Sequence, residues 1–208
     1  TGAYNTPDNS MESLEKAIEH GDASFEIEVR QRPNGTIVMS NDIINTNSDG
    51  TEITAAFQRV KKTDMHLNLD IRETRVLKNL HDLIVDYSLT DRVTLTGIEV
   101  FQANKVKENC PGVEYYVNYM PSRINIFTED YQQKIIDMLE KTGAIGINCN
   151  YKYASRTLSN LLHKNGYKLS IWTVDRKYQI KRALVNTADN ITTHNPQKVQ
   201  HIINKWGK

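Results

Sequence analysis

The chain has 208 residues, a length that fits one domain and can bury a substantial core. Hydrophobic residues make up 38% and charged residues 25%, the proportions of an ordinary soluble protein. A net charge of +1 excludes any broad electrostatic pull towards nucleic acid or an acidic membrane. No apolar run is long enough to span a bilayer. The sequence opens on Thr1 and shows no signal peptide, which leaves the compartment open, together with any membrane contact made by a segment upstream. Cys110 and Cys149 make no disulfide framework and lack the C-x-x-C spacing of a zinc or redox site, so both read as free packing residues.

In chain order, Pro7 to His20 reads as a helix: Asp8, Asn9 and Ser10 are good starters, Met11, Leu14, Ala17 and Ile18 fall at helical spacing, and Gly21 is a natural stop. Ser24–Arg30 alternates like a strand, and Thr36–Ser40 is a short strand after the turn Pro33-Asn34-Gly35. Ile53–Lys62 is a short helix. Met65–Ile71 is a strand and Thr74–Tyr87 a helix with Val76, Leu77, Leu80, Leu83 and Ile84 along one face. Arg92–Thr96 is a strand, followed by a helix to about Asn109, and Val113–Asn118 is a strand followed by a loop with Pro121. The rest reads as helix Glu129–Thr142, strand Ala144–Asn148, helix Ser155–Asn165, strand Tyr167–Val174, helix Arg176–Val185, strand Asn190–Thr193 and helix Pro196–Lys205.

Strands alternating with helices argue for a parallel sheet covered by helices. No Gly-rich phosphate loop opens a helix, which disfavours a doubly wound sheet. Setting aside the strand at Thr36, seven strand–helix units follow the first helix. An eight-fold barrel needs one strand more, where the sequence has Thr1 to Thr6. The expectation is therefore a single α/β domain over 1–208, a (β/α)8 barrel whose first strand is missing or nearly missing from this sequence.

The active site of such a barrel lies at the carboxyl ends of its strands. Glu26 and Glu28 are two apart on a strand and face one side, with Phe25, Ile27 and Val29 on the other. Two carboxylates on a barrel interior repel, and a hard divalent cation such as Mg²⁺ or Ca²⁺ would relieve them; a solvent-facing strand edge is the competing reading. Asn68, Asp70 and Arg72 share a face of the next parallel strand. There an Asp–Arg pair would complete a metal shell and clamp a phosphate oxygen, or else form a structural ion pair. Trp172 offers a flat wall to a substrate or fills the core. Asn41 and Asp42 would hydrogen-bond across a site or cap a turn. His194, after the last strand, would reach the mouth of the site or serve the loop before the last helix. None of the six histidines forms an HExxH pair, so a zinc hydrolase is disfavoured.

Taken together the segments resemble the glycerophosphodiester phosphodiesterases. Pro7-Asp8-Asn9-Ser10 is similar to that family's P-E-N-T/S element, Glu26-Ile27-Glu28-Val29 to E-x-D-V, and the stretch from Gly35 to Asp42 to G-x-x-V-x-x-H-D. Leu67–Arg72 resembles L-N-I-E-I-K, Trp172–Asp175 resembles W-T-V-N/D, and Thr193–Pro196 resembles T-D-x-P. Each motif is weak alone; the ordered set is specific. The resemblance implies a (β/α)8 barrel that hydrolyses glycerophosphodiesters to glycerol 3-phosphate and an alcohol. It implies Glu26, Glu28 and Asp70 as ligands of Mg²⁺ or Ca²⁺, Arg72 on the phosphate, and Trp172, Asn68 and Asp42 towards the substrate, a glycerophosphodiester or lipid headgroup. Asn41 holds the place of one of the family's two catalytic histidines, and Asn cannot exchange a proton near neutral pH. Thr1-Gly2 reads as the tail of an H-x-G whose histidine lies upstream, and His194 as a partial substitute. A binding module without turnover, or an interaction domain, are the alternatives.

Overall fold

The computed structural model describes residues 2–207. Thr1, read above as part of an H-x-G tail, lies outside them. The chain divides into two compact units, the first running to Tyr115 and the second from Tyr116.

The first unit opens with a tight turn, Ala3–Asn5, before helix α1 (Met11–His20). Tyr4 pins this segment to the far end of α1, its hydroxyl donating to Asp22 at 2.8 Å and its ring stacking on His20 at 4.3 Å. The helix begins four residues later than its apolar spacing predicts. Asn9 takes a left-handed backbone (φ 49°) that cannot continue a helix, so the start falls to Ser10, whose hydroxyl accepts the Ser13 N–H at 3.1 Å. Strands β1 (Ser24–Gln31), β2 (Ile37–Met39) and β3 (Thr51–Glu52) lead into α2 (Ile53–Val60). Then come β4 (His66–Ile71), α3 (Leu77–Asp86), β5 (Val93–Glu99) and α4 (Ala103–Asn109). The sheet order is β3-β2-β1-β4-β5, with β1, β4 and β5 parallel and β2 and β3 antiparallel at one edge.

Alternation decides what β1 buries. Phe25, Ile27 and Val29 are buried, as are Leu67, Leu69 and Ile71 of β4, while Glu26 and Glu28 take the other face. The helices close the apolar side with Leu14, Ala17, Ile53, Ala56, Phe57, Val60, Leu77, Leu80 and Ile84. Besides the start of α1, two boundaries of this unit differ from the sequence reading by three residues. The helix expected from Thr74 starts as a tight turn, Thr74–Val76, and β5 runs past Thr96 to Glu99.

In the second unit β6 (Glu114–Asn118) is followed by α5 (Glu129–Thr142), β7 (Gly146–Asn150) and α6 (Arg156–Lys164). Then come β8 (Lys168–Trp172), α7 (Lys177–Val185), β9 (Asn190–Ile191) and α8 (Pro196–Asn204). β6, β7, β8 and β9 pair in parallel, in that order. The seven expected strand–helix units are all present among the described residues, and no strand precedes α1 there. The ladder of β7 with β8 opens at Gly146, two residues later than expected. A Cβ there would strike the Lys168 backbone, with the carbonyl carbon at 2.7 Å and the nitrogen at 2.9 Å. Gly146→Ala should therefore push the two strands apart. We expect a loss of about 1–3 kcal/mol, read as a lower midpoint of urea unfolding.

Candidate active site

The parallel register of β1 and β4 sets Glu26 beside Asn68 and Glu28 beside Asp70. Each carboxylate then takes a different partner. The Asn68 side-chain amide donates to Glu26 Oε2 at 2.7 Å, and its own oxygen accepts the Thr96 hydroxyl at 2.9 Å, so Asn68 is held from both sides and is buried. Asn9 grips Glu28 twice. Its Nδ2 donates to Oε2 at 2.6 Å, while its Oδ1 accepts the Glu28 backbone N–H at 2.8 Å. The left-handed backbone at Asn9 aims the amide at β1, which explains why this residue stands outside the helix.

Arg72, just beyond β4, supplies the positive charge. Its Nη2 donates to Glu28 Oε1, and its Nε lies 3.3 Å from Asp70 Oδ2. Asn41, in the segment after β2, brings its Oδ1 to 3.5 Å from Nη2 of the same guanidinium. Asp70 remains the under-compensated group. Burial and then the charge of Glu26 push its carboxyl up to about 7. Gly97 makes room for it: with φ 73°, a Cβ there would meet Asp70 Oδ1 and the backbone of Ile71, whose nitrogen would lie at 2.8 Å.

The structure therefore joins Glu26, Asn68, Glu28, Asp70, Arg72 and Asn41 through neighbouring contacts on one side of the first unit. Asp42 stands outside this set; it is exposed, and its backbone carbonyl accepts the Ser40 hydroxyl at 3.1 Å. Glu26, Glu28 and Asp70, the expected metal ligands, share this face of β1 and β4. Among the described residues no group of three or more His, Cys, Asp or Glu side chains is placed to hold a metal ion. The reason lies in the partners, since Asn68 takes Glu26 while Arg72 and Asn9 take Glu28. The donor chemistry nevertheless fits a hard divalent cation, with carboxylate oxygens on adjacent strands and the Asp70 carboxyl raised by burial and by the charge of Glu26.

In the second unit Trp172 ends β8 opposite Asn150 of β7 and is half-buried. His194 is exposed, and Asp175 fixes it: Oδ2 lies 3.0 Å from His194 Nδ1, and Oδ1 accepts the His194 N–H at 2.8 Å and the Thr193 hydroxyl at 3.1 Å.

No family model matches the chain. A curated glycerophosphodiester phosphodiesterase of Caldanaerobacter subterraneus subsp. tengcongensis is 22% identical over 239 residues, covering 98% of this chain and 95% of that protein. The crystal structure of a glycerophosphodiester phosphodiesterase from Parabacteroides distasonis superposes with a TM-score of 0.82 at 18% identity, over 99% of this chain and 94% of that one. A phosphodiesterase from Oleispira antarctica, solved with the product sn-glycerol-3-phosphate, gives 0.72 at 17% identity, over 95% and 92%. Along its whole length the chain resembles the glycerophosphodiester phosphodiesterases. Its fold is theirs, the α/β barrel fold expected from the strand count.

Asn9 and Gly97 are site residues to which the sequence reading assigned no role at the site. For Asn9 the signal was present in Pro7-Asp8-Asn9-Ser10, but Asn before a helix has an ordinary reading as a cap. For Gly97 the signal was a glycine directly after a run of strand formers.

Two predictions follow from these contacts. Asn9→Ala leaves the Glu28 backbone N–H and one carboxylate oxygen without their partner, and should cost about 1–3 kcal/mol in urea unfolding. At Asp175 partial burial works to raise the carboxyl, but the bonds from His194 and Thr193 outweigh it and hold it below the usual 3.8. A depressed folded-state pKa means that this stability is present above 3.8 and lost as the pH falls through the lower, folded value. The unfolding midpoint of the parent should therefore drop more steeply than that of Asp175→Asn below about pH 4.

Proposed function

We propose that this chain is a metal-dependent phosphodiesterase that hydrolyses glycerophosphodiesters to glycerol 3-phosphate and an alcohol. The observation that carries the proposal is the in-register pair Glu28 and Asp70 bracketing the Arg72 guanidinium, with Glu26 one step down the same face. The similarity to glycerophosphodiester phosphodiesterases over 98% of the chain supports the substrate class.

Glu26, Glu28 and Asp70 are the residues that would hold Mg²⁺ or Ca²⁺. Bound there, the cation would polarise the phosphoryl oxygens and stabilise the charge that builds on them. The remaining work belongs to side chains of the chain itself. Arg72 presents a planar fork suited to a phosphate oxygen, which a lysine could approach only as a point charge. Asn68 fixes the direction of Glu26. Asn41 accepts or donates a hydrogen bond but carries no proton across the reaction. In the second unit Asp175 bonds Nδ1 of His194 and so fixes the direction of its ring.

A second reading is that the chain binds a phosphodiester or lipid headgroup without turning it over. Asn41 favours it, because the position beside Arg72 lacks a titratable group.

Hydrolysis of glycerophosphocholine and glycerophosphoethanolamine, with Mg²⁺, with Ca²⁺ and with a chelator, separates the two. The proposal expects turnover that the chelator abolishes, and an Asn41→His variant faster by up to about 10²-fold. Turnover by Asn41→His alone would favour the binding module. The absence of metal-dependent turnover in both proteins would overturn the phosphodiesterase reading.

A further inference from the structure

In the second unit β6, β7 and β8 run parallel, so the segments leaving their carboxyl ends share one edge. That edge holds large apolar side chains in water. In the segment after β6, Ile124 is 82% exposed and Phe127 70%, while Ile126 between them is only 2% exposed. The backbone is fastened. The Tyr131 hydroxyl accepts the Ser122 N–H at 2.8 Å and bonds the Tyr119 hydroxyl at 2.9 Å. Ser122 Oγ accepts the Asn125 N–H at 3.1 Å, Gln132 Nε2 donates to the Ile126 carbonyl at 2.8 Å, and the Thr128 hydroxyl donates to the Asn125 carbonyl at 2.9 Å. A backbone held this firmly, with Ile126 as its inward anchor, keeps Ile124 and Phe127 outward. Two large apolar side chains three residues apart, both held in water, are the feature of this edge that a partner surface would cover.

The neighbouring segments continue the surface. The Asn150 N–H donates to Met120 Sδ at 3.4 Å, which ties the segment after β6 to the one after β7, where Lys152 and Tyr153 are exposed. Tyr151 shares a side-chain hydrogen bond with Tyr178 at the start of α7, beside exposed Arg176 and Lys177. Arg123 adjoins Ile124 in the chain, and Lys152, Arg176 and Lys177 are exposed on the neighbouring segments of the same edge; the exposed acids of this edge are Glu129 and Asp130 at the start of α5, and Asp175 is taken up by His194. A helix of a partner protein needs a groove for its apolar face. Here the two tips rise from a loop, on an edge that also carries tyrosines and cations. That arrangement suits a lipid–water interface, in which apolar tips enter the acyl boundary, tyrosines lie at headgroup level and cations meet anionic headgroups. No helix of the described residues is long and apolar enough to cross a membrane, so such contact is peripheral.

We propose that this edge of the second unit docks onto an anionic lipid surface through Ile124 and Phe127. The proposal stands apart from the phosphodiesterase reading, because partition onto a bilayer needs no catalysis.

The test is co-sedimentation of the full chain with vesicles of phosphatidylcholine alone and of equimolar phosphatidylcholine and phosphatidylglycerol. The expected result is binding to the mixed vesicles, weaker binding to phosphatidylcholine, and release at high salt. The double variant Ile124→Ser/Phe127→Ser should lose about tenfold or more in partition while keeping the native urea midpoint. Arg123→Gln/Lys152→Gln should weaken binding to the mixed vesicles only. The proposal is overturned if the native chain binds neither vesicle or if the Ile124/Phe127 variant partitions like the parent. It is equally overturned if the native chain sediments as a dimer that this variant dissociates, since a second copy would then cover the edge.

Discussion

Setting Glu28 opposite Asp70 on adjacent parallel strands is the constraint on which the first unit depends. The register is not free to change. Ile27, Val29, Leu69 and Ile71 must stay on the apolar face, and a slip of one residue would turn every carboxylate into the core. The charges are therefore fixed where they are, close together and partly buried, and the surrounding structure answers them. Arg72 is drawn across Glu28 and Asp70, the segment before α1 is bent so that Asn9 meets Glu28, and Gly97 gives Asp70 its space. Asp70 shows that the compensation is incomplete, its carboxyl standing at about 7.

The same constraint explains what was legible in the sequence. Period-two alternation in Phe25–Val29 and Leu67–Ile71 marks both strands and assigns Glu26, Glu28, Asn68 and Asp70 to one face, because side-chain direction in a strand follows from parity alone. Helical spacing likewise identifies α1, α3 and α5, the last with both boundaries correct. The contacts of Asn9 were not legible. Nineteen residues separate it from Glu28, and the reach depends on a left-handed backbone that Asn tolerates but does not announce. The arrangement of the carboxylates was not legible either. Parity says that Glu26, Glu28 and Asp70 share a face; it does not say that Asn68 and Arg72 would draw them to different partners.

The second unit illustrates a different limit. Ile124, Ile126 and Phe127 are equally apolar in the sequence, within a segment that reads only as a loop after Pro121. Which of them enters the core depends on a turn set by hydrogen bonds from Ser122, Gln132 and Tyr131, and none of those bonds follows from spacing. Outside regular elements, composition cannot sort inward from outward side chains. The exposure of Ile124 and Phe127 is therefore information that the structure adds.

The coupling of stability and chemistry also bears on how the site should be read. Glu28 satisfies Asn9 and Arg72, and removing it would leave the buried Asn9 amide nitrogen without its partner and take one of its carboxylates from Arg72, a cost of the kind that breaks marginal folds. Glu28 therefore serves the fold as well as the proposed site. Asn41 is different. It is exposed, its side-chain oxygen lies 3.5 Å from Arg72, and its backbone carbonyl accepts from Arg30 at 3.1 Å, a contact that any residue could make. Little in the fold demands an asparagine there. The architecture leaves the Asn41 position free, so the proposed acid–base step at that place is decided by the side chain alone and not by any demand of the fold.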